Sequence, residues 1–306
     1  MQCQAFDWRV RMDAKETVQL DMPGRRKVIE FPAVTFDISY EEGRQRNKAR
    51  RLRLAMSGTY STGKTTTSYA LSYLTGIERT HAKTMREILP IALPGKTLEE
   101  CTPPQLVQLG IRRFVERAVH ESHLPDGFIS DGSSLHEWVY GAARMESGIS
   151  PGQDGWAAFV KSFVMLPSLP ILRAVISNFG DVVKQHAKTS YEYFIHLPVE
   201  FPLVADGHRP VSERFRKLSD SMLLETLETL HIPYIVIGGT LEERLARIVD
   251  ELGLYPVCEI EYAAAQARDA VERLNSMLPQ EGSSPLPESE DGPKTEQTTR
   301  QKGMEP

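Results

Sequence analysis

Gly58-Thr59-Tyr60-Ser61-Thr62-Gly63-Lys64-Thr65 fits the pattern G-x-x-x-x-G-K-[ST], and its surroundings decide the fold. The apolar run Leu52 to Met56 enters this stretch, and Thr66 to Leu74 reads as the helix that leaves it. The order is strand, loop, helix. In that order the consecutive backbone N–H groups of the loop point inward and the helix N-terminus adds its partial positive charge, which makes a cradle for a polyphosphate. The expected cradle is Gly58, Thr59, Tyr60, Ser61, Thr62, Gly63, Lys64, Thr65 and Thr66, with Lys64 reaching the β and γ oxygens of ATP and Thr65 ligating Mg2+.

Composition sets the frame around this motif. A chain of 306 residues with 41% hydrophobic content has ample material for a sizeable core. The formal charge of −5 recruits neither nucleic acid nor acidic membrane globally, so only a local basic patch would do so. Cys3, Cys101 and Cys258 are scattered and form no C-x-x-C, which points away from a disulfide framework or zinc site and toward a reducing, cytoplasmic setting. No run approaches the roughly 20 apolar residues of a membrane span, and the N-terminus lacks an apolar signal core.

Residues 1–50 precede the first core strand and read as a β-containing extension. Val34, Phe36 and Ile38 alternate with Thr35 and Asp37, as a half-buried strand does, and Val28 to Phe31 is expected to pair with it around Pro32. Arg44, Arg46, Lys48, Arg50, Arg51 and Arg53 form a basic run just before the core. No aromatic residue is interleaved for base stacking, so a solvated connector suits it better than a nucleic-acid contact. Beyond the phosphate loop, Gly76 onward gives a short strand candidate, a polar turn and another helix. The end of a second strand faces bound phosphates in mononucleotide-binding folds, which makes His81, Lys83 and Arg86 candidate substrate contacts.

Phe128-Ile129-Ser130-Asp131 is a short apolar strand ending on a carboxylate, spaced as a third parallel strand. Asp131 is expected to emerge beside the phosphate loop, where an ionised acid holds Mg2+ or accepts the proton of an attacking hydroxyl. The helix that follows brings Trp138 and Tyr140, either to an acceptor pocket or to the core. Residues 145–170 are rich in Gly, Pro and Ser and read as an insertion over the substrate mouth. Tyr193 to Leu197 is the fourth strand. Asp206-Gly207-His208-Arg209 through Arg216 then reads as an arginine-bearing lid that excludes water and neutralises charge on a moving phosphoryl group. Ile232 to Ile237 is the fifth strand, and Thr240 with Glu243 forms a capping box for the next helix. Val257 to Leu278 supplies a further helix, expected to pack on the extension, and residues 279–306 have the composition of a disordered tail.

Several of these stretches together resemble a known family. They are Gly58-x4-Gly63-Lys64-Thr65, Met85-Arg86-Glu87-Ile88-Leu89, Ser130-Asp131-x-Ser133-x-Leu135-x4-Tyr140-Gly141 and Asp206-Gly207-x-Arg209-x5-Phe215-Arg216. The set resembles the P-loop AAA-type ATPase and kinase family that includes the nicotinamide riboside kinase domain of bacterial NAD regulators, over about residues 51–252. The resemblance implies an α/β fold with a five-stranded parallel sheet flanked by helices, as in nucleoside kinases, within a domain spanning 51–278. It implies that Lys64 and Thr65 bind phosphate and Mg2+, that Asp131 is the carboxylate after strand three, and that Arg209 and Arg216 are lid arginines. Relatives often carry Glu where this chain has Lys83, and Arg where it has Gly132. Lys83 would suit an acceptor that already bears negative charge.

The expected activity is therefore transfer of the γ-phosphoryl group of ATP, with Mg2+, to a nucleoside- or nucleotide-like small molecule. Two other readings use the same loop. One is a slow NTPase switch whose extension and tail bind a macromolecule. The other is a kinase of nucleic acid, supported only by the basic run. The absence of an Asn-Lys-x-Asp motif favours ATP over GTP, while the acceptor and the oligomeric state, a homo-oligomer included, stay open.

Overall fold

The computed structural model describes residues 17–22, 25–30, 40–80, 83, 85–97, 100–147, 169–200 and 213–277. In chain order these form β1 (Thr17–Met22), β2 (Arg25–Glu30), α1 (Tyr40–Ala49), β3 (Arg53–Ser57), α2 (Lys64–Thr75), α3 (Met85–Ala92), α4 (Pro103–Ser122) and β4 (Phe128–Asp131). There follow α5 (Ser134–Ser147), α6 (Leu169–Ser190), β5 (Tyr193–His196), α7 (Glu213–Leu230), β6 (Tyr234–Val236), α8 (Leu241–Leu252) and α9 (Ile260–Met277).

Four strands make the central sheet in the order β4-β3-β5-β6, with all three pairings parallel. Side chains alternate across a strand, and here both faces are covered. Leu54, Met56 and Ile195 face α2, α8 and α9, meeting Leu71, Leu74, Leu245, Ile248 and Ala264. Ala55 and Phe194 face α5, α6 and α7, meeting Leu135, Val139, Ala187, Leu223 and Leu227. Because β3 is buried on both sides, its sequence is a continuous apolar run rather than an alternating one.

The second strand expected from Gly76 onward shrinks to a single parallel bridge between Arg79 and Ile129, so the sheet has four strands rather than five among the described residues. Two hydrogen bonds hold it to the β4 edge, from Thr80 N to Ile129 O (3.0 Å) and from Ile129 N to Glu78 O (2.8 Å). Ile77 is the one aliphatic residue in this segment, and it is buried, too little to hold a longer strand in a sheet covered on both faces.

The extension also differs from expectation. β2 does form, but it pairs antiparallel with β1, Val28 opposite Gln19, and the proposed partner at Val34 to Ile38 lies outside the described residues. The basic run is largely committed to contacts within the chain. Arg46 pairs with Glu42, Lys48 with Asp126 and Arg53 with Glu192. Arg50 donates to the carbonyls of Leu252 and Gly253, closing the C-terminus of α8. Asn47, buried among them, donates to Thr75 O and Tyr255 O and accepts from Tyr255 N, so α1 is fastened to the sheet domain. α9 packs along α2 and runs back toward the phosphate loop. Of the insertion expected at 145–170, residues 145–147 instead end α5 and 169–170 begin α6, while 148–168 lie outside the described residues, as does the tail expected at 279–306.

Candidate nucleotide and acceptor site

β3 delivers Ser57 to the top of the sheet, and the chain turns at once. A Cβ on Gly58 would lie 2.5 Å from Leu197 O, so only glycine lets the loop rest on the end of β5. Gly63 is left-handed at φ 88°, the conformation that turns the loop into the first residue of α2. Lys64 Nζ folds over the loop and donates to Thr59 O, and Thr62 Oγ1 donates to the same carbonyl. From α8, Arg244 donates to Thr62 O (2.7 Å) and to Glu200 (2.9 Å), bracing the loop from behind. The hydrogen bond from Arg244, joined by that from Gly239 N, holds the Glu200 carboxyl below its ordinary range.

Asp131 stands at the end of β4, beside the loop, and both line one cavity of about 550 Å3. Its Oδ2 receives Arg79 Nη2 at 2.7 Å, while Arg79 Nε donates to Ser68 Oγ and the guanidinium stacks 4.0 Å over Tyr69. Behind Asp131 lies a buried network. Arg117 donates to Ser130 Oγ, Asp131 O and Glu137, and Ser130 and Tyr191 both donate to Glu121. Arg113 adds a second cation to Glu137 at 3.3 Å. Burial pushes Glu121 above the usual carboxylate range, against the opposing pull of Arg117. A Cβ on Gly132, left-handed at φ 91°, would lie 3.2 Å from Arg117 Nη2. The Arg117 guanidinium from α4 thus lies against Gly132.

His136 ties this wall to the phosphate loop. Its Nδ1 accepts from Ser133 N (3.0 Å), which can only donate, so the proton sits on Nε2 and is donated to Gly58 O (2.9 Å). Burial, reinforced by the nearby charges of Lys64 and Arg117, holds its pKa well below the usual histidine value. The ring is neutral and works as a strut.

The other expected site residues are spread out. Tyr140 lines the cavity and stacks on Tyr60 of the loop, centroids 4.5 Å apart, with Phe215 of α7 6.2 Å from each. Trp138 also lines the cavity, under Lys184 and against Gly180. Lys83 is exposed and pairs with Glu116, away from the cavity lining. Arg86 belongs to α3, with its side chain outside the described atoms, and His81 and Arg209 lie outside the described residues. Arg216, at the start of α7, is fully buried. It gives Nη1 to Glu213 (3.2 Å), while Nε and Nη2 meet no partner among the described residues.

Arg79, Arg113, Arg117, Glu137 and His136 escaped the sequence reading. Arg79 alone had an available signal, because the second strand ends at it, two residues before His81. The oxygen donors Thr65 and Asp131, both on the cavity wall, suit Mg2+, which takes one or two protein oxygens and fills its octahedron with phosphate and water. Among the described residues there is no group of three or more His, Cys, Asp or Glu side chains that could hold a metal ion.

A parallel sheet carrying a glycine-lined loop at the N-terminus of a helix, with an acidic strand end beside it, defines a P-loop α/β nucleotide-binding protein. Residues 53–244 match the AAA domain family, and the chain belongs to it. Comparison with curated proteins finds no match. Among solved structures it is similar to deoxyadenosine kinase from M. mycoides with bound dCTP, at 13% identity and TM-score 0.41 over 66% of this chain and 99% of that one. It is also similar to the NadR protein in complex with NR, at 14% identity and TM-score 0.41, covering 71% of this chain and 54% of that one. None of the described helices is long and apolar enough to cross a membrane.

Proposed function

We propose that this chain is a Mg2+-dependent cytoplasmic kinase that transfers the γ-phosphoryl group of ATP to a nucleoside- or nucleotide-like small molecule. One observation carries this reading. The cavity that holds the phosphate loop and Asp131 continues between α4, α5 and α6 into a chamber lined by Leu106, Val107, Met145, Ile176 and Phe179. An NTPase switch needs a phosphate cradle and a water, whereas a kinase needs a dry chamber for a second molecule.

In this reading Lys64, Arg216 and the lid residue Arg209 neutralise charge on the transferred group. Thr65 and Asp131 hold Mg2+, which when bound shields the β and γ oxygens. Arg79 fixes the Asp131 carboxylate, and Asp131 orients the acceptor hydroxyl. Trp138 and Tyr140 wall the chamber, and Arg86 is assigned an acceptor contact; Lys83, paired with Glu116 outside the cavity lining, would have to leave that pair to reach the acceptor. Commitment of the basic run to contacts within the chain leaves the small-molecule acceptor as the better partner.

The test is ATP turnover by purified protein with Mg2+, alone and with nucleosides, nucleoside monophosphates and short oligonucleotides, using Lys64→Ala as the control. Acceleration and phosphate gain by one small-molecule class supports the reading. Slow turnover indifferent to every acceptor refutes it.

A further inference from the structure

Ser57 and His196 stand opposite one another in the β3–β5 pairing, at the end of the sheet where the phosphate loop begins. Side chains on one face of a strand recur every second residue, so Ser57 follows Ala55, and His196 follows Phe194, toward α7. Ala55 and Phe194 lie in an apolar layer, yet the two polar residues that succeed them are also fully buried. A buried hydroxyl or imidazole is costly unless it is paired. These two pair with each other, Ser57 Oγ to His196 Nδ1 at 3.2 Å, and α7 completes the row with Asp220, whose Oδ1 lies 3.4 Å from His196 Nε2. A carboxylate only accepts, so Nε2 turns its proton toward Asp220, and the neutral ring then accepts the Ser57 hydroxyl at Nδ1.

All three residues stand behind the cavity wall rather than in it, at the root of the phosphate loop. The residue after Ser57 is Gly58, and Leu197 N, next to His196, donates to Ser57 O at 2.9 Å. Ser57 is thus held at its carbonyl by the backbone of β5 and at its side chain by the row. Within the loop, Tyr60 packs on Phe215, which belongs to the same helix as Asp220. We infer that Asp220 is a positioning residue: acting through His196, it fixes Ser57 and hence the point from which the phosphate loop turns to meet the nucleotide. α7 therefore sets the loop twice, at its root through Asp220 and at its crest through Phe215.

This inference rests on the proposed use of ATP, and its test separates the two. Ser57 and Asp220 face opposite nitrogens of one ring, so a double-mutant cycle on ATP affinity reads the relay. Full-length wild type, Ser57→Ala, Asp220→Ala, the double variant and Asp220→Asn are compared by calorimetric ATP binding, urea unfolding and phosphate transfer. Each alanine variant is expected to weaken ATP binding about tenfold, the scale of one hydrogen bond. The double variant is expected to lose about tenfold as well, because either change releases the same contact. Asp220→Asn keeps an acceptor before Nε2 and is expected to restore binding to within about threefold of wild type. Wild-type ATP affinity in Asp220→Ala, whatever its urea midpoint, marks a merely structural row and would overturn the inference. So would an additive loss of roughly a hundredfold in the double variant, or no ATP binding by wild type. Should Asp220→Ala fail to fold, Asp220→Ser takes its place in the cycle with the same expected outcome. If the cycle holds and no acceptor gains phosphate, Asp220 keeps its role and the kinase reading fails.

Discussion

Replacing His136 by alanine removes a strut whose energetic contribution can be worked from its two hydrogen bonds. The substitution strands Gly58 O and Ser133 N, both in buried residues and paired to the ring at 2.9 and 3.0 Å. Each buried group left without a partner costs about 1–3 kcal/mol, so the loss is about 2–6 kcal/mol. That is a large share of the total stability of about 5–15 kcal/mol expected for a domain, and urea unfolding at pH 7.5 reads it directly. The pH dependence is the sharper test. Burial and the charges of Lys64 and Arg117 depress the folded-state pKa of His136 below its unfolded value of about 6.5. Its contribution is therefore fully present above about pH 6.5 and is lost as pH falls toward the folded-state value, because the unfolded chain binds the proton more readily. His136→Gln retains a polar side chain that does not titrate, so the stability difference between wild type and His136→Gln should shrink below pH 6.5. The limiting slope is about 1.4 kcal/mol per pH unit. His186, also lowered by burial, is present in both proteins and cancels. Parallel pH curves, or a loss below about 1 kcal/mol in His136→Ala, would refute the assignment of a neutral, load-sharing imidazole.

Two further outcomes follow from the same structure. Thr240 caps α8, accepting from Glu243 N while Glu243 returns a bond to Thr240 N; Thr240→Ala should cost about 1 kcal/mol in the urea midpoint and leave ATP affinity alone. Arg117→Met leaves Glu137 and Glu121 buried with their shared cation gone, and should cost about 3–5 kcal/mol, far more than the exposed pair broken by Arg268→Ala.

The phosphate loop and Asp131 were legible because their signals are local. A strand, a glycine-bounded loop and a helix occupy neighbouring residues, and an apolar strand ending on a carboxylate is visible in four letters. The guanidinium wall behind Asp131 was not legible, because its members come from separate elements. Arg79 reaches Asp131 across 52 residues, His136 reaches Gly58 across 78, and Arg244 reaches Thr62 across 182. Surface arginines and site arginines share one letter, which is why Lys83 stood out in the sequence while Arg79 and Arg113 did not. The second strand misled for a related reason. Its length depended on how much of the β4 edge it could bury, and Ile77 is its one apolar residue in the core.

Backbone geometry and hydrophobic period, which act over a few residues, thus let the sequence alone determine the parallel α/β layout, the glycine-bounded loop at the head of α2 and the placing of an acid beside it. The tertiary structure alone decided which cations surround that acid and which histidine braces the loop. Those features depend on burial and on distances between elements remote in the chain, and side-chain identity carries neither until the elements have packed.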